Sequence, residues 1–183
     1  MVRLLPRTTA VRRRLRYPVS MRDGVWDDLA VSDPRLLLMC GLPGAGKTTL
    51  AKRLEAALPA VRLCPDEWMT DLGIDLFDLR ARTRLETVFW QHARDLLRLG
   101  QSVVLESGFW LRSDRDEKRL GARALGAAVE LHYLDVPFDE LCRRLEARTG
   151  GVTITREMLE EYAPLFQAPT AEEIELFDRT SRG

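Results

Sequence analysis

The amino-acid sequence predicts an α/β protein in which a parallel sheet of four to five strands lies between layers of helices. Short apolar segments alternate with longer segments of helical periodicity, and no hairpin signal joins successive strands. A glycine-rich turn also connects the first strand directly to the first helix. Strands that alternate with helices pair in parallel through right-handed crossovers, so the expected architecture is a three-layer sandwich.

Charged residues are unevenly distributed along the 183-residue sequence. The formal net charge is zero, but residues 1–16 contain six arginines and no acid, which leaves 22 basic and 28 acidic residues in the remainder. We interpret residues 1–33 as a basic, poorly ordered extension and residues 34–183 as the folded domain. A transit peptide, or sequence ahead of a start at Met21, are the alternatives. The acidic balance of the folded domain argues against nucleic acid as a partner.

No apolar run approaches the roughly 20 residues that a membrane-spanning helix needs, so we expect no membrane association. The three cysteines are odd in number and lack a C-x-x-C spacing, which argues against a disulfide framework and against a zinc site. Cys40 and Cys64 end predicted strands and are expected to be small core residues. Unpaired core thiols are typical of a reducing compartment, so a cytoplasmic location is predicted.

The first elements of the domain follow from one apolar run and one proline. The run Arg35–Cys40 is predicted to be a strand that is buried on both faces. A helix is predicted over Thr48–Leu58, and Pro59 ends it. Ala60–Cys64 is predicted to be the second strand.

The next region contains one unassigned segment and one long helix. Residues 69–82 mix acidic and apolar side chains without a clear period, so no element is predicted there. Thr83 and Glu86 form a capping box for the helix that follows. His92 lies on the apolar stripe of this helix and is expected to pack in the interior. Trp90 lies off the stripe and is expected at the surface or at a substrate site.

The second half of the domain continues the alternation. The predicted elements are a strand at Ser102–Glu106, a polar helix from Ser113 to about Gly126, a strand at Val129–Tyr133, and helices over 137–148 and Arg156–Ala163. The last segment is ambiguous, because Thr170 and Glu173 suit a helix cap whereas Ile174–Phe177 suit a fifth strand.

The glycine-rich turn has the spacing G-x-x-x-x-G-K-[ST] of a phosphate-binding loop, and it lies between a strand and a helix as that motif requires. Glycines let successive N–H groups face an anion, and the helix that follows adds the positive end of its dipole. Lys47 is expected to reach the outer phosphates, and Thr48 to offer its hydroxyl to Mg²⁺. The predicted nucleotide-binding residues are Gly41, Leu42, Pro43, Gly44, Ala45, Gly46, Lys47, Thr48 and Thr49.

Two carboxylates are expected near this loop, because ligands bind at the carboxyl edge of parallel sheets. Asp66 follows the second strand, and Glu106 ends the third. Asp66 can act as a general base toward an attacking hydroxyl, or it can cap the next helix, and its position alone leaves both roles open. Glu106 can orient metal-bound water, or it can be a structural acid.

This arrangement resembles the P-loop kinases that include polynucleotide kinase, zeta toxins and chloramphenicol phosphotransferase. The resemblance runs from about Leu36 to Phe177. It rests on the phosphate-binding loop, on Asp66, on Val103–Gly108, and on Leu134–Phe138 leading to Glu140, Leu141 and Arg144. The resemblance implies a P-loop NTPase fold with a small helical lid, and phosphoryl transfer from ATP or GTP with Mg²⁺.

The resemblance also implies roles for particular residues. Asp66 would be the general base, and Arg144 and Arg148 would belong to a mobile lid at about residues 143–156 that clamps the transferring phosphate. From the residues alone, arginines flank a Gly-Gly break here, and cations that close over phosphates stabilise charge and exclude water. A solvated basic helix face is the alternative.

The acceptor is expected to be neutral or cationic. Polynucleotide kinase has an arginine for a substrate phosphate shortly after the base, where this chain has Trp68 and Met69. Trp68 and Trp110 are the candidate acceptor contacts, in a pocket to which Phe77, Phe109, Asp71, Asp75 and Asp78 would also belong. Packing in the core explains such aromatic residues equally well.

The sequence therefore predicts a phosphotransferase that moves the γ-phosphate of ATP or GTP to a hydroxyl of a small molecule. Its expected catalytic residues are Lys47, Asp66, Arg144 and Arg148, with Thr48 at the metal and Glu106 acting on the metal through water. One alternative is a polynucleotide 5′-hydroxyl kinase. Another, from a different class, is a nucleotide-binding regulator or ATPase without an acceptor.

Overall fold

A computed structural model describes residues 33–149 and 152–182, so the predicted basic extension, apart from Asp33, lies outside the described residues. The centre of the fold is a five-stranded parallel sheet with the strand order β2-β3-β1-β4-β5. Its strands are β1 (Arg35–Cys40), β2 (Ala60–Leu63), β3 (Ser102–Gly108), β4 (Ala128–Tyr133) and β5 (Arg179–Arg182). The predicted α/β class and its parallel sheet are confirmed.

Helices follow the strands as the alternation predicts. They are α1 (Lys47–Ala57), α2 (Pro65–Asp71), α3 (Leu79–Arg98), α4 (Arg112–Arg123), α5 (Phe138–Glu146), α6 (Arg156–Tyr162) and α7 (Ala171–Ile174), with a 3₁₀ turn at Ala163–Leu165. Among the described residues, none of these helices has the length and apolar content needed to cross a bilayer.

Strand β1 takes the central position because its residues from Leu36 to Cys40 are buried on both faces. Leu36 and Leu38 pack against α3 and α4 on one face, whereas Leu37 and Met39 pack against α1 on the other. Successive side chains of a strand point to opposite faces, so this single apolar segment joins the two helical layers of the sandwich. A third apolar cluster lies under the turn after β1 and includes Ala45, Leu141, Cys142 and Leu159.

Helix α3 begins five residues earlier than the capping box predicts. Asp78 is the residue that caps it, since Oδ1 of Asp78 accepts hydrogen bonds from the backbone N–H groups of Arg80 (3.0 Å) and Ala81 (2.9 Å). Thr83 lies inside the helix and donates its hydroxyl to the carbonyl of Leu79 at 2.8 Å. The predicted Thr83–Glu86 capping box is therefore wrong.

The buried face of α3 is also rotated from the prediction. Trp90 is buried in the core, where its indole lies against Gly121 of α4, whereas His92 is exposed. Both expectations for these residues are wrong, because α3 packs against β3 and α4 together, and these contacts bury the face that carries Trp90 and leave His92 outside it.

The ambiguity at the end of the chain is resolved in favour of the helix cap. The hydroxyl of Thr170 accepts a hydrogen bond from the backbone N–H of Glu173 (3.2 Å) and begins the short helix α7. Ile174–Phe177 do not form the fifth strand, and Ile174 and Phe177 instead fill the core beside β4. The fifth strand follows at Arg179–Arg182.

Candidate active site

The segment between β1 and α1 forms the glycine-rich turn that the sequence predicts to bind phosphate. Gly44 and Gly46 adopt φ angles of 81° and 98°, in the left-handed region that favours glycine. A Cβ atom at Gly44 would also come within 3.0 Å of the Leu145 side chain and 3.2 Å of the Leu141 carbonyl. The backbone N–H of Gly41 donates to the carbonyl of Gly108 at 3.1 Å, which fixes the turn to the end of β3.

Lys47 folds back over this turn. Its Nζ donates to the backbone carbonyls of Gly41 and Leu42, each at 2.9 Å. Burial lowers the pKa of Lys47 to about 8, while the nearby carboxylates of Glu106 and Asp66 act in the opposite direction. The ammonium group of Lys47 is therefore placed at the mouth of the turn, where it would gain from a bound anion.

Thr48 and Glu106, the two residues predicted to serve a metal ion, are in direct contact. The hydroxyl of Thr48 donates to Oε1 of Glu106, whose side chain is 4% exposed. A hydroxyl and a carboxylate are hard oxygen donors of the kind that Mg²⁺ accepts, and Mg²⁺ takes its other ligands from water and substrate phosphates. The Thr48–Glu106 pair fits that role. Among the described residues, no group of three or more His, Cys, Asp or Glu side chains is placed to hold a metal ion by itself.

Arg62 is a member of this site that the sequence analysis missed. It lies on β2, and its Nη1 contacts Oε2 of Glu106 at 2.9 Å. The same guanidinium contacts Glu55 of α1 at 3.1 Å and also contacts Glu67 of α2. The signal in the sequence was a single charged residue inside a short apolar strand.

Asp66 lies in the first turn of α2 and does not cap that helix. Its Oδ1 instead accepts a hydrogen bond from Nη2 of Arg82, a residue of α3, at 2.7 Å. Arg82 also donates to the carbonyl of Leu76 at 3.3 Å. The Asp66 side chain is 64% exposed. Asp66 follows β2 and Lys47 follows β1, so the two residues lie at the same edge of the parallel sheet.

The two predicted lid arginines occupy different environments. Arg144 lies on α5, where its Nε contacts Glu140 at 2.6 Å and its Nη1 donates to the carbonyl of Ala45 in the glycine-rich turn at 3.4 Å. Arg148 lies beyond the end of α5 and is exposed. It borders a cavity of about 400 Å³ whose other walls include Cys142, Val152 and Arg156.

The two candidate acceptor tryptophans lie on different elements. Trp68 of α2 is 47% exposed and packs edge-on against Phe89, with ring centroids 5.0 Å apart. Trp110 packs against Tyr162, with ring centroids 5.4 Å apart. A Cβ atom at Gly108 would come within 3.0 Å of Nε1 of Trp110. Trp110 therefore lies beside the glycine-rich turn, whereas Trp68 lies on the helix that carries Asp66.

Other members of the predicted pocket have structural positions. Phe109 is 5% exposed in the core, so it does not line a pocket. Asp75 accepts a hydrogen bond from the N–H of Phe77 at 3.0 Å, and Asp78 caps α3. Phe77 is half exposed, and Asp71, Asp75 and Asp78 are exposed as well, so these four side chains reach the surface.

The sequence profile of the AAA domain family matches residues 36–169, from β1 to the residue before Thr170. This match covers well over half of the chain. The chain belongs to the AAA domain family. The predicted resemblance to P-loop kinases is confirmed, since the matched region contains the phosphate-binding loop together with β1 before it and α1 after it.

Solved structures share this fold at low sequence identity. They include the Pnkp1/Rnl/Hen1 RNA repair complex (24% identity, 79% of this chain and 46% of that chain, TM-score 0.60). A gluconokinase from Sinorhizobium meliloti aligns at 22% identity over 82% of each chain, with a TM-score of 0.53. Kti12 from Chaetomium thermophilum, in complex with ADP-AlF3, aligns at 17% identity over 81% of this chain and 88% of that chain, with a TM-score of 0.62.

The match to the RNA repair complex spans less than half of the chain to which it aligns. Among proteins with curated functions, none matches this sequence significantly. The similarities in structure therefore define the fold, and the activity has to be argued from the site.

Proposed function

We propose that residues 34–183 form a kinase that transfers the γ-phosphate of ATP or GTP to a hydroxyl group of a small molecule. The observation that supports this most is the position of Asp66, which follows β2 and therefore lies at the same edge of the parallel sheet as the phosphate-binding loop after β1. A loop that holds a triphosphate beside a carboxylate is the minimum arrangement for phosphoryl transfer to an alcohol.

The nucleotide would be held by the turn between β1 and α1. Backbone N–H groups of Gly44 to Thr48 would face the phosphates, and the ammonium group of Lys47 would leave the carbonyls of Gly41 and Leu42 to bind them. Thr48 and Glu106 would hold Mg²⁺, Thr48 directly and Glu106 through water. Bound there, Mg²⁺ neutralises charge on the β- and γ-phosphates.

Asp66 would accept the proton of the attacking hydroxyl. Its carboxylate is now paired with Arg82, and its 64% exposure leaves room for an acceptor to approach. A hydroxyl placed between Asp66 and the γ-phosphate would be oriented for in-line attack, and orientation of this kind supplies much of the rate in phosphoryl transfer. Asp66 would keep its hydrogen bond with Arg82 during this step, so Arg82 would orient the base.

Arg144 and Arg148 would close over the transferring phosphate. Arg144 already donates to the carbonyl of Ala45, so a small rotation of its side chain would bring its guanidinium to the phosphates. Arg148 lies farther along the connection to α6 and would need a movement of that segment. Cations at these positions stabilise the charge that develops on the equatorial oxygens and exclude water.

We propose that the acceptor is neutral or cationic. The cation nearest to the base, Arg82, is already neutralised by Asp66, and the exposed acidic and aromatic side chains of Asp71 and Trp68 lie on the same helix as the base.

The protein would act in the cytoplasm, in keeping with the three buried, unpaired cysteines Cys40, Cys64 and Cys142.

Two alternatives each have an observation in their favour. The similarity to a chain of the Pnkp1/Rnl/Hen1 RNA repair complex, together with the cation Arg82 beside the base, favours a polynucleotide 5′-hydroxyl kinase. The similarity to Kti12 bound to ADP-AlF3 favours a nucleotide-binding regulator or ATPase without an acceptor.

Release of ADP measured against a panel of hydroxyl compounds separates these three functions. The panel should include amino sugars, neutral sugars, hydroxylated antibiotics and 5′-hydroxyl oligonucleotides. The proposal expects ADP release well above the acceptor-free rate with at least one neutral or cationic small molecule. Stimulation by oligonucleotides alone would support the polynucleotide kinase, and slow release that no acceptor changes would support the regulator.

A further inference from the structure

Arg62 contacts three carboxylates from three different elements. Its Nη1 lies 2.9 Å from Oε2 of Glu106 on β3, its Nε lies 3.1 Å from Glu55 on α1, and its Nη2 contacts Glu67 on α2. The Arg62 side chain is only 9% exposed, so little solvent screens these contacts. The planar fork of an arginine suits this task, because its donors point in fixed and different directions.

The position of Arg62 follows from the register of the sheet. Arg62 pairs with Val104 of β3, so both side chains lie on the face that α1 covers. Glu106 is two residues beyond Val104 and therefore points to the same face. Glu106 is 4% exposed and forms its ion pair with Arg62, so loss of Arg62 would leave the buried charge of Glu106 without that compensation.

One end of this network leads to the candidate metal site. Oε2 of Glu106 binds Arg62, and its other oxygen accepts the hydroxyl hydrogen of Thr48. The orientation of Glu106 therefore fixes the orientation of the Thr48 hydroxyl, whose lone pairs would face Mg²⁺. Groups that orient the ligands of a metal ion in this way commonly change its affinity when they are removed.

The other end of the network leads to the candidate base. Glu67 is adjacent in sequence to Asp66, and both lie in the first turn of α2. Glu67 is held by Arg62 and, at 3.1 Å, by Lys52 of α1. The guanidinium of Arg62 thus joins the strand that carries Glu106 to the helix that carries Asp66.

We propose that Arg62 is a positioning residue that sets both the Mg²⁺ affinity of the nucleotide site and the placement of the helix bearing Asp66. This inference rests on the proposed function for the identity of the metal and the nucleotide, but it concerns binding and does not require an acceptor. It predicts that occupation of the metal site is transmitted to α2 through Glu106, Arg62 and Glu67.

The first test measures nucleotide affinity as a function of Mg²⁺ with a fluorescent, non-hydrolysable ATP analogue. Arg62→Gln is expected to raise the Mg²⁺ concentration for half-maximal enhancement of binding by roughly 10- to 100-fold, without changing the affinity in the absence of Mg²⁺. Arg62→Lys should give an intermediate shift. Glu55→Gln removes only the surface contact, and is the matched control that should behave as the unsubstituted chain.

The second test measures hydrogen exchange of the backbone amides of residues 66–71, which belong to α2. Binding of the Mg²⁺–nucleotide complex should slow their exchange in the unsubstituted chain and in Glu55→Gln, but not in Arg62→Gln or Glu67→Gln. Glu67 is 40% exposed, so Glu67→Gln should fold and keeps the test decisive if Arg62→Gln does not.

Several results would overturn the inference. The first is that Arg62→Gln leaves the Mg²⁺ dependence of nucleotide binding unchanged. The second is that nucleotide affinity does not depend on Mg²⁺ in the unsubstituted chain. The third is that the Mg²⁺–nucleotide complex slows amide exchange in α2 of Glu67→Gln as much as in the unsubstituted chain. Failure to find any acceptor, combined with the expected shifts, would remove the transferase proposal and leave the role of Arg62 supported.

Discussion

The carboxylate of Asp66 accepts a 2.7 Å hydrogen bond from Nη2 of Arg82, which lies sixteen residues farther along the chain. The two residues come from consecutive helices, α2 and α3, and meet at the edge of the sheet where the phosphate-binding loop lies. Arg82 itself is anchored to the loop between these helices through the carbonyl of Leu76. The candidate base is therefore held in one orientation before any acceptor binds.

Substitution of Arg82 should slow the reaction without weakening nucleotide binding. Arg82→Ala removes the group that orients Asp66, and misplacement of a catalytic group by about 1 Å can cost up to about 100-fold in rate. We expect kcat to fall by about 10- to 100-fold, with the Kd for the nucleotide within about twofold. Arg84→Ala, which changes an exposed arginine of the same helix, is the control. An unchanged kcat for Arg82→Ala would contradict this role.

Substitution of Lys47 should weaken nucleotide binding directly. The ammonium group is held at the mouth of the loop by two carbonyls, so Lys47→Ala should lose a charge-assisted contact worth about 1.5–3 kcal/mol. This corresponds to a Kd for ATP that is about 10- to 150-fold higher, measured by calorimetric titration. Arg53→Ala, on the exposed side of α1, should leave the Kd unchanged. An equal loss of ATP affinity in both variants would contradict a direct contact from Lys47, because it would show that general electrostatic attraction accounts for the effect.

The buried ion pair between Arg115 and Glu173 should be important for stability. Nε and Nη2 of Arg115 contact the carboxylate of Glu173 at 2.6 Å and 2.9 Å, and the two side chains are 0% and 1% exposed. Glu173→Gln leaves an uncompensated buried cation, so the free energy of unfolding should fall by about 3–5 kcal/mol. Urea denaturation measures this change. Glu175→Gln, at an exposed position of the same segment, should stay within about 0.5 kcal/mol.

Stability should decrease as the pH falls through the range in which histidine titrates. Burial lowers the pKa of His132 from its usual value of 6.5, although Glu130 at 3.1 Å partly opposes this effect. The unfolded chain then binds a proton more readily than the folded one, so the free energy of unfolding falls as the pH drops below about 6.5. Urea midpoints between pH 7.5 and 5.5 should show this slope. The slope should be smaller in His132→Gln, and a slope that this substitution leaves unchanged would contradict the role of His132.

The elements that the sequence predicted best are those with a continuous pattern. Strand β1 and the phosphate-binding loop were both predicted, because an apolar run and a fixed glycine spacing are local signals. The start of α3 was missed because Asp78 lies in a segment without periodicity, where hydrogen bonds to the side chain decide the boundary. Trp90 and His92 were misplaced because the packing of α3 against both β3 and α4 decides which face is buried.

Four residues of the candidate site carry a signal in the sequence, whereas the arginines that contact them carry none. Lys47, Thr48, Asp66 and Glu106 each follow a strand or a motif, and the topology of parallel sheets brings such positions together. Arg62 and Arg82 carry no motif, and their roles depend on side-chain directions across neighbouring elements. No pattern within one segment encodes contacts of that kind.

The most direct test of the account compares acceptor-dependent ADP release in the unsubstituted chain and in Asp66→Asn, with nucleotide affinity measured in parallel. Asparagine keeps the size of the side chain but cannot accept the proton, so acceptor-dependent release should fall by at least about 100-fold, while the Kd for ATP stays within about twofold. Transfer by Asp66→Asn at the rate of the unsubstituted chain would contradict the role of Asp66 as the general base of this kinase.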